Sequence, residues 1–503
     1  MKRRTSHEGT APAPARIGRI FPMLLLTLVI LALAVPAGMA VSPGFRGPAP
    51  VPEPAAAGPW QQVPASLSAP DGGGTAGGMT PLSDAAPLPD AARLAGLLGA
   101  TLKADGAGSF SGLVQDARTG KVLFDRSADE VRAPASNIKL LTAAAALRTL
   151  GPDRRFSTKV VAGSTPGTVV LTGGGDVLLG AGKSAADAVL GHAGLASLAQ
   201  STVDALRKAG VSGPVTVLLD DSLFSGPSLN PAWSPDDVAA GEVAPLFPLA
   251  LNSARFDPAV TAGPRPRDAA MSAAEAFAAR LSAAGAGAGL RVRAGVARLA
   301  AAPKPPASSG SQAGKVLAEV QSATVSQQVD LMLRTSDNYL TEVMGRMVAV
   351  ASGKPASNDG ARAAVLQQLK ELGIPLATLR MADLAGLTLE NKVSARQISA
   401  VVRAMTTGTD TRLRSALAGF PVAGLTGTLG SRYMDTSTSR GAGLVRAKTG
   451  TLNTVIALSG YVVDADGRLL VFSFIGNGLT PGAAGNKVAL DRTASVLAAC
   501  GCR

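Results

Sequence analysis

At 503 residues the chain is long enough for roughly two or three domains and a sizeable core. Apolar residues make up 46%, which excludes disorder along the whole length, and a formal net charge of +13 points to anionic surroundings such as a wall polymer or a membrane surface. Nucleic acid is not the expected partner, because aromatics are only 3%, no dense Lys/Arg block interleaves with them, and no zinc-finger spacing occurs.

The start is basic, with Lys2, Arg3, Arg4, Arg16 and Arg19, and an uncharged apolar stretch follows over 20–41. It ends in Ala37-Gly38-Met39-Ala40, a small-residue cleavage pattern, and it is just long enough to span a bilayer, although Pro22 and Pro36 weaken that option. Residues 1–41 therefore read as a signal peptide or membrane anchor. The expected location is extracytoplasmic, with membrane association if the segment is retained. Residues 42–90 are rich in Pro, Ala and Gly and read as a linker.

Order is expected from about Ala91. Segments 109–114 and 121–124 read as strands around a turn at 116–120. Pro134 precedes Ser136, and an apolar helical run over 138–150 is stopped by Gly151-Pro152. The texture then changes over 154–320. That stretch holds Gly173-Gly174-Gly175-Asp176, a helix-like run at 195–209, a strand at 215–219 and an Ala/Gly/Pro-rich segment at 283–314. An inserted domain is expected there. Residues 326–350 read as helical around Ser336. Residues 454–463 and 469–475 read as a hairpin about Asp464-Ala465-Asp466-Gly467, and 484–499 as a helix covering the sheet. The two cysteines, Cys500 and Cys502, make no disulfide framework. A bridge between residues two apart is strained, so the two read as free thiols or as a link to another chain, and a tail without a role is expected.

Three motifs occur in order: Ser136-Asn137-Ile138-Lys139, Ser336-Asp337-Asn338 and Lys448-Thr449-Gly450. On a helix, residues three apart share a face, so Lys139 lies beside the Ser136 hydroxyl. Burial against Ile138, Leu140 and Leu141 lowers a lysine's pKa, and the neutral amine can take the serine proton. A helix N-terminus also favours developing negative charge at the nucleophile. Ser-x-x-Lys alone is weak, since chance supplies about one in a chain this long. Ser336 can relay a proton, and the Asn338 amide can hold a peptide carbonyl. Ser228-Leu229-Asn230 fits the same pattern but is set aside, because Pro231 follows it. Lys448-Thr449-Gly450 is the most specific motif. Lys448 and Thr449 at a strand edge can bind a carboxylate, Gly450 allows a ligand backbone to approach, and Thr451 adds a hydroxyl and an N–H aimed at an oxyanion. The alternatives are a capping serine, a helix junction and a tight turn. Histidine is limited to His7 and His192, so neither a Ser-His-Asp triad nor a His-based zinc site is supported. Gly173-Gly174-Gly175 lacks a phosphate-loop lysine and reads as a turn. No metal or cofactor is expected.

With these motifs, and with Asp220-Asp221-Ser222-x-Phe224, Gly427-Thr428-Leu429 and Thr451-Leu452, the chain resembles the penicillin-binding D-alanyl-D-alanine carboxypeptidase/endopeptidase family, the low-molecular-mass class C penicillin-binding proteins. The resemblance runs over about 91–499. It implies an α/β (α+β) transpeptidase/beta-lactamase-like domain, an antiparallel sheet flanked by helices, over 91–153 and 321–503, with a mixed α/β domain inserted at 154–320. It implies a serine peptidase acting on peptidoglycan stem peptides through an acyl-enzyme, with beta-lactams as inhibitors. Ser136 would be the nucleophile and Lys139 the base. Ser336 and Lys448 would shuttle the proton, and Asn338 would orient the peptide. Thr449 and Thr451 would hold the terminal carboxylate, and the N–H groups of Ser136 and Thr451 would form the oxyanion hole. Trp233 and Asp236 match the positions that contact the free amine of the stem-peptide side chain in relatives. The chain departs from the family at Asp383-Leu384-Ala385-Gly386-Leu387-Thr388, where Asp-x-Ser-Gly-Leu-Ser is usual, and at Leu389, where a basic residue is common.

Two other readings compete. A serine beta-lactamase or related esterase shares the first and third motifs, but its second motif follows sooner, and no glutamate dedicated to rapid deacylation stands out. A non-catalytic wall-binding protein would not need every nucleophile and base position filled, as they are here.

Overall fold

The computed structural model describes residues 82, 83, 85–299 and 313–501. The expected leader, most of the expected linker and Cys502 lie outside the described residues. Helix α1 (Ala91–Thr101) starts at Asp90, whose carboxylate accepts the Arg93 N–H at 2.7 Å. Strands β1 (Ser109–Asp116) and β2 (Val122–Arg126) pair antiparallel, as the 116–120 turn signals imply. After the short β3 (Val131–Arg132), a 3-10 turn at Ala135–Ile138 leads into α2 (Lys139–Leu150), which is almost wholly buried.

The chain then builds a second sheet. Its elements are β4 (Ser157–Ala162), β5 (Thr168–Thr172), β6 (Asp176–Leu179), α3 (Leu195–Lys208), β7 (Pro214–Asp220), α4 (Pro235–Ala240), β8 (Leu249–Leu251), α5 (Ala269–Ala286), β9 (Arg291–Arg298) and β10 (Val316–Gln321). The sheet order is β10-β4-β5-β7-β9, while β6 and β8 pair separately. The parallel pairs β5–β7 and β7–β9 need crossovers, and α3 and α5 lie on those paths. Their apolar faces pack on the sheet through Val169, Leu171, Leu198, Val203, Phe277 and Leu281. Entry and exit are joined. Strand β10 pairs with β4, the Ser322 N–H donates to the Phe156 carbonyl at 2.9 Å, and the Val325 N–H donates to the Arg154 carbonyl at 2.8 Å. The long excursion thus returns to the end of α2.

The rest comprises α6 (Val325–Thr335), α7 (Asn338–Ala351), α8 (Asn358–Glu371), β11 (Val393–Ser394), α9 (Ala395–Thr407), β12 (Arg446–Leu452), β13 (Val455–Val463), β14 (Leu469–Asn477) and α10 (Lys487–Ala499). The first sheet has the order β12-β13-β14-β1-β2 and is antiparallel throughout. Side chains alternate across it. Leu113, Val471 and Ile475 join the core with α2 and α6 to α9, and Val114, Leu470 and Phe472 join the core with α1 and α10. The sheet is therefore covered by helices on both faces, and β12 is its edge.

Two expectations change, at Ser336 and at Cys500, and the 283–314 stretch gains defined elements. The helical run over 326–350 is broken at Ser336, which takes a left-handed φ of 59°, and Asp337 caps a new helix. The Ala/Gly/Pro-rich stretch at 283–314 contains β9, and α5 extends into it to Ala286. Cys500, buried after α10, is disulfide-bonded rather than a thiol. No helix among the described residues is long and apolar enough to cross a membrane.

Candidate active site

The site is built around the step into α2. Ala135 is buried with φ at 47°, a left-handed conformation unusual for a residue with a Cβ. That turn presents Ser136 at the mouth of the cleft and starts α2 at Lys139. The lysine is fully buried, and three oxygens surround its Nζ: Ser136 Oγ at 2.8 Å, Asn338 Oδ1 at 2.7 Å and the Ala385 carbonyl at 2.6 Å. Lys139 and Asn338 are 199 residues apart in sequence. A neutral amine has two N–H donors and one lone pair. The amide oxygen and the carbonyl can only accept, so they take the two donors. The lone pair is left for the hydroxyl of Ser136, which can donate. This geometry suits proton abstraction.

Burial pushes the Lys139 ammonium down to about 8, although the charges of Asp383, Asp337, Glu342 and Glu242 oppose that fall. Roughly a tenth of the lysine is then neutral at pH 7, far more than for an ordinary lysine. Lys448 is buried too, and burial, with the charge of Lys139 nearby, holds it well below the ordinary lysine range. Its Nζ lies 2.9 Å from Ser336 Oγ and 2.8 Å from the Thr449 carbonyl. Ser336 is fixed by the junction between α6 and α7. Asp337 accepts the Leu340 N–H at 2.9 Å and pairs with Arg255 at 2.9 Å. Burial alone would raise the Asp337 carboxyl, but Arg255 and the Leu340 N–H outweigh it and hold it below the usual range. Asn338 turns its amide NH₂ to the Glu242 carbonyl at 2.9 Å, which leaves Oδ1 for Lys139.

The edge strand β12 closes the other wall. Thr449 and Thr451, two residues apart, share a face and both line the cleft, and Thr449 Oγ1 lies 2.7 Å from Thr428 Oγ1. Gly450 has a different task from the one its motif suggested. A Cβ there would lie 2.7 Å from the Pro134 carbonyl and 2.9 Å from Asn137 Nδ2. The glycine lets β12 close on the turn at Ala135–Ile138. The resulting open cleft holds about 430 Å³ and gathers Ser136, Ser336, Asn338, Thr449 and Thr451.

Trp233 and Asp236 do not line that cleft. The Trp233 ring is buried, and its Nε1 donates to Asp383 at 3.1 Å. Asp236 is exposed on α4. Trp233 thus braces the 383–388 segment from behind. The rejected Ser228-Leu229-Asn230 is likewise structural, with Asn230 Nδ2 donating to the Ala382 carbonyl at 2.8 Å. Leu389 is exposed. The structure adds Glu242, Thr428, Arg432 and Lys487 to the cleft wall. Arg432 is held by Asp491 at 2.9 and 2.6 Å. Glu242 is a glutamate on the cleft wall that the sequence did not single out. It lies just past a six-residue helix, α4, in a segment without a motif. Among the described residues, no group of three or more His, Cys, Asp or Glu side chains is placed to hold a metal ion.

A helix-covered antiparallel sheet whose edge strand carries Lys-Thr-Gly, opposite a Ser-x-x-Lys turn and a Ser-x-Asn junction, defines the serine–lysine peptidase class. The model of the D-Ala-D-Ala carboxypeptidase 3 (S13) family matches residues 96–284 and 265–498, and the chain belongs to that family. It is 37% identical to a carboxypeptidase, DacB, of Mycolicibacterium smegmatis, over 84% of this chain and 88% of that protein. It is 30% identical to a D-alanyl-D-alanine carboxypeptidase of an Actinomadura species, over 74% of this chain and 78% of the relative. The fold is similar to the crystal structure of penicillin-binding protein 4 of Haemophilus influenzae, with TM-score 0.61 and 20% identity, over 78% of this chain and 97% of that one. That protein has also been crystallised in complex with a beta-lactam.

Proposed function

We propose that this chain is a serine-type D-Ala-D-Ala carboxypeptidase/endopeptidase of peptidoglycan stem peptides, working through an acyl-enzyme on Ser136. The observation that carries the reading is the position of Lys139 Nζ, buried within 2.8 Å of Ser136 Oγ and held by two acceptors that cannot donate. Neutral Lys139 takes the Ser136 proton as Oγ attacks the carbonyl of the penultimate D-alanine. The N–H groups of Ser136 and Thr451 hold the oxyanion. The proton passes by way of Lys448 and Ser336 to the departing amine, the peptide bond breaks, and D-alanine leaves. Asn338 orients the peptide, and Thr449 and Thr451 hold the terminal carboxylate. Water then attacks the ester and restores Ser136.

The catalytic body in this reading is 91–153 with 321–503, and 154–320 is an insertion. Residues 1–41 carry the chain out of the cytoplasm and either leave or tether it to the membrane. Beta-lactams acylate Ser136 in place of the peptide and depart slowly. Family membership and the beta-lactam complex of the Haemophilus protein support this. Release of D-alanine from a stem pentapeptide by the purified protein, absent in Ser136→Ala, tests the activity.

One observation favours a second reading. A beta-lactamase needs a carboxylate to activate water, and Glu242 brings one to the cleft. Rapid turnover of benzylpenicillin would favour it, and a long-lived acyl-enzyme would exclude it.

A further inference from the structure

The carbonyl that holds Lys139 is itself held. Ala385 and its neighbour Leu384 donate their N–H groups to one oxygen of Glu342, at 2.9 and 2.7 Å. The Leu384 carbonyl accepts from Thr142 Oγ1 at 3.0 Å, which ties the same segment to α2. Asp383 completes the clamp by accepting the N–H groups of Gly386 at 2.7 Å and Leu387 at 3.0 Å. Glu342 is 3% exposed, so its carboxyl sits where an apolar side chain would cost less. It lies four residues after Asn338 on α7, and such residues share a helix face. One face of α7 therefore governs both acceptors of the Lys139 amine: Asn338 directly, and Ala385 through Glu342.

We propose that Glu342 is a positioning residue for the base, fixing the Leu384–Ala385 backbone so that the Ala385 carbonyl turns the Lys139 lone pair toward Ser136. The proposal rests on the reading of Lys139 as the base. If the carbonyl swings away, an N–H of the amine can face Ser136 Oγ and the lone pair is misdirected. The groups that set the charge of Lys139 are Asp383 in the segment, Asp337 at the cap of α7, the ionised fraction of Glu342 on α7, Glu242 after α4, and Lys448 on β12. Glu342 itself faces Asp383 and Arg346. Burial first, then Asp383, raises its carboxyl to about 8, so near neutral pH it is mostly protonated. Glutamine reproduces both that neutral state and the oxygen that accepts the two N–H groups.

The test is the rate of acylation by a fluorescent penicillin between pH 6 and 10, for wild type, Glu342→Gln, Glu342→Ala and Thr142→Val, with thermal melts of each. Glu342→Gln is expected within about threefold of wild type, its acidic limb moved only slightly to lower pH by loss of the ionised fraction of Glu342, and Glu342→Ala at least about tenfold slower with a larger movement. In Glu342→Ala the limb moves to lower pH, because the Lys139 ammonium loses an acceptor. Thr142→Val shows a smaller loss with the limb moved in the same direction. The proposal is overturned if Glu342→Gln is as slow as Glu342→Ala, or if rates fall with no movement of the limb. It is equally overturned if Thr142→Val acylates as wild type does, and that arm decides if Glu342→Ala does not fold. Wild type that takes no label fails the reading of Ser136 and Lys139 instead, so the two failures are distinct.

Discussion

Lys448 sets its Nζ 2.9 Å from the hydroxyl of Ser336, which lies 112 residues earlier in the chain. The contact joins the edge strand to the junction of α6 and α7. Beside Lys139 and Ser136 it makes a second lysine–serine pair, and both serines line the same cleft. In the proposed reaction the second pair carries the proton that the first removes. Ser336→Ala and Lys448→Ala should each slow acylation about 10² to 10⁴-fold while leaving the melting curve near wild type. Stopped-flow acylation with a chromogenic cephalosporin checks this. Wild-type rates in both variants would remove the relay.

In the proposed reaction the pH dependence follows from Lys139, whose neutral form takes the proton of Ser136. With the ammonium held at about 8, acylation should rise with pH and level off near that value. Glu242 favours the ammonium, so Glu242→Gln should move the limb to lower pH. The shift should be under about one unit, because the residue is exposed. Lys139→Arg keeps the charge but cannot deprotonate, and should reduce acylation by at least about 10²-fold. Second-order acylation rates over a pH series give both answers.

Gly386 has φ at +90°, and a Cβ there would meet the Ala135 carbonyl at 2.1 Å and the Ser136 nitrogen at 3.0 Å. Gly386→Ala must therefore push on the turn that carries the nucleophile. A stability loss of about 1–3 kcal/mol is expected. Acylation should slow as well, even for molecules that remain folded. Denaturant titration and active-site labelling separate the two effects.

Stability is tied to a buried pair at the far end of the sheet. Arg468 donates to Asp116 at 2.5 and 2.8 Å. Burial tends to raise the Asp116 carboxyl, but Arg468 and Thr119 outweigh it and bring it down to about 2. A carboxyl lowered in the folded state stabilises the fold above its unfolded pKa, near 3.8, and that stability fades as pH falls from about 4 to 2. Asp116→Ala removes the buried carboxylate that accepts two of the Arg468 hydrogen bonds and should cost about 3–5 kcal/mol at neutral pH. Chemical denaturation at pH 7 and pH 3 should show the gap between variant and wild type narrowing in acid.

Much of this was legible in the sequence where one local signal decides the structure. The hairpin of β13 and β14 falls where β-branched runs flank an Asp/Gly turn. Helix α2 stops at Gly151, which takes φ of 82°. The three motifs lie together on the cleft because β4 and β10 join the ends of the long excursion, a pairing that no local pattern announces. The break at Ser336 was hidden because α6 and α7 are each apolar at helical spacing, and only the Asp337 cap separates them. The contact of Trp233 with Asp383 was not legible, because a motif match gives a position in the chain and not the direction of a ring. Glu342 drew no notice, since its two hydrogen bonds go to backbone from a segment more than 40 residues away.

The central claim is that Ser136 forms the acyl-enzyme. Purified protein should be incubated with fluorescent penicillin, beside Ser136→Ala, and the labelled peptide identified by mass spectrometry. One label per chain on the peptide containing Ser136, and none on the variant, is the expected result. No label on wild type, or equal labelling of the variant, would contradict it.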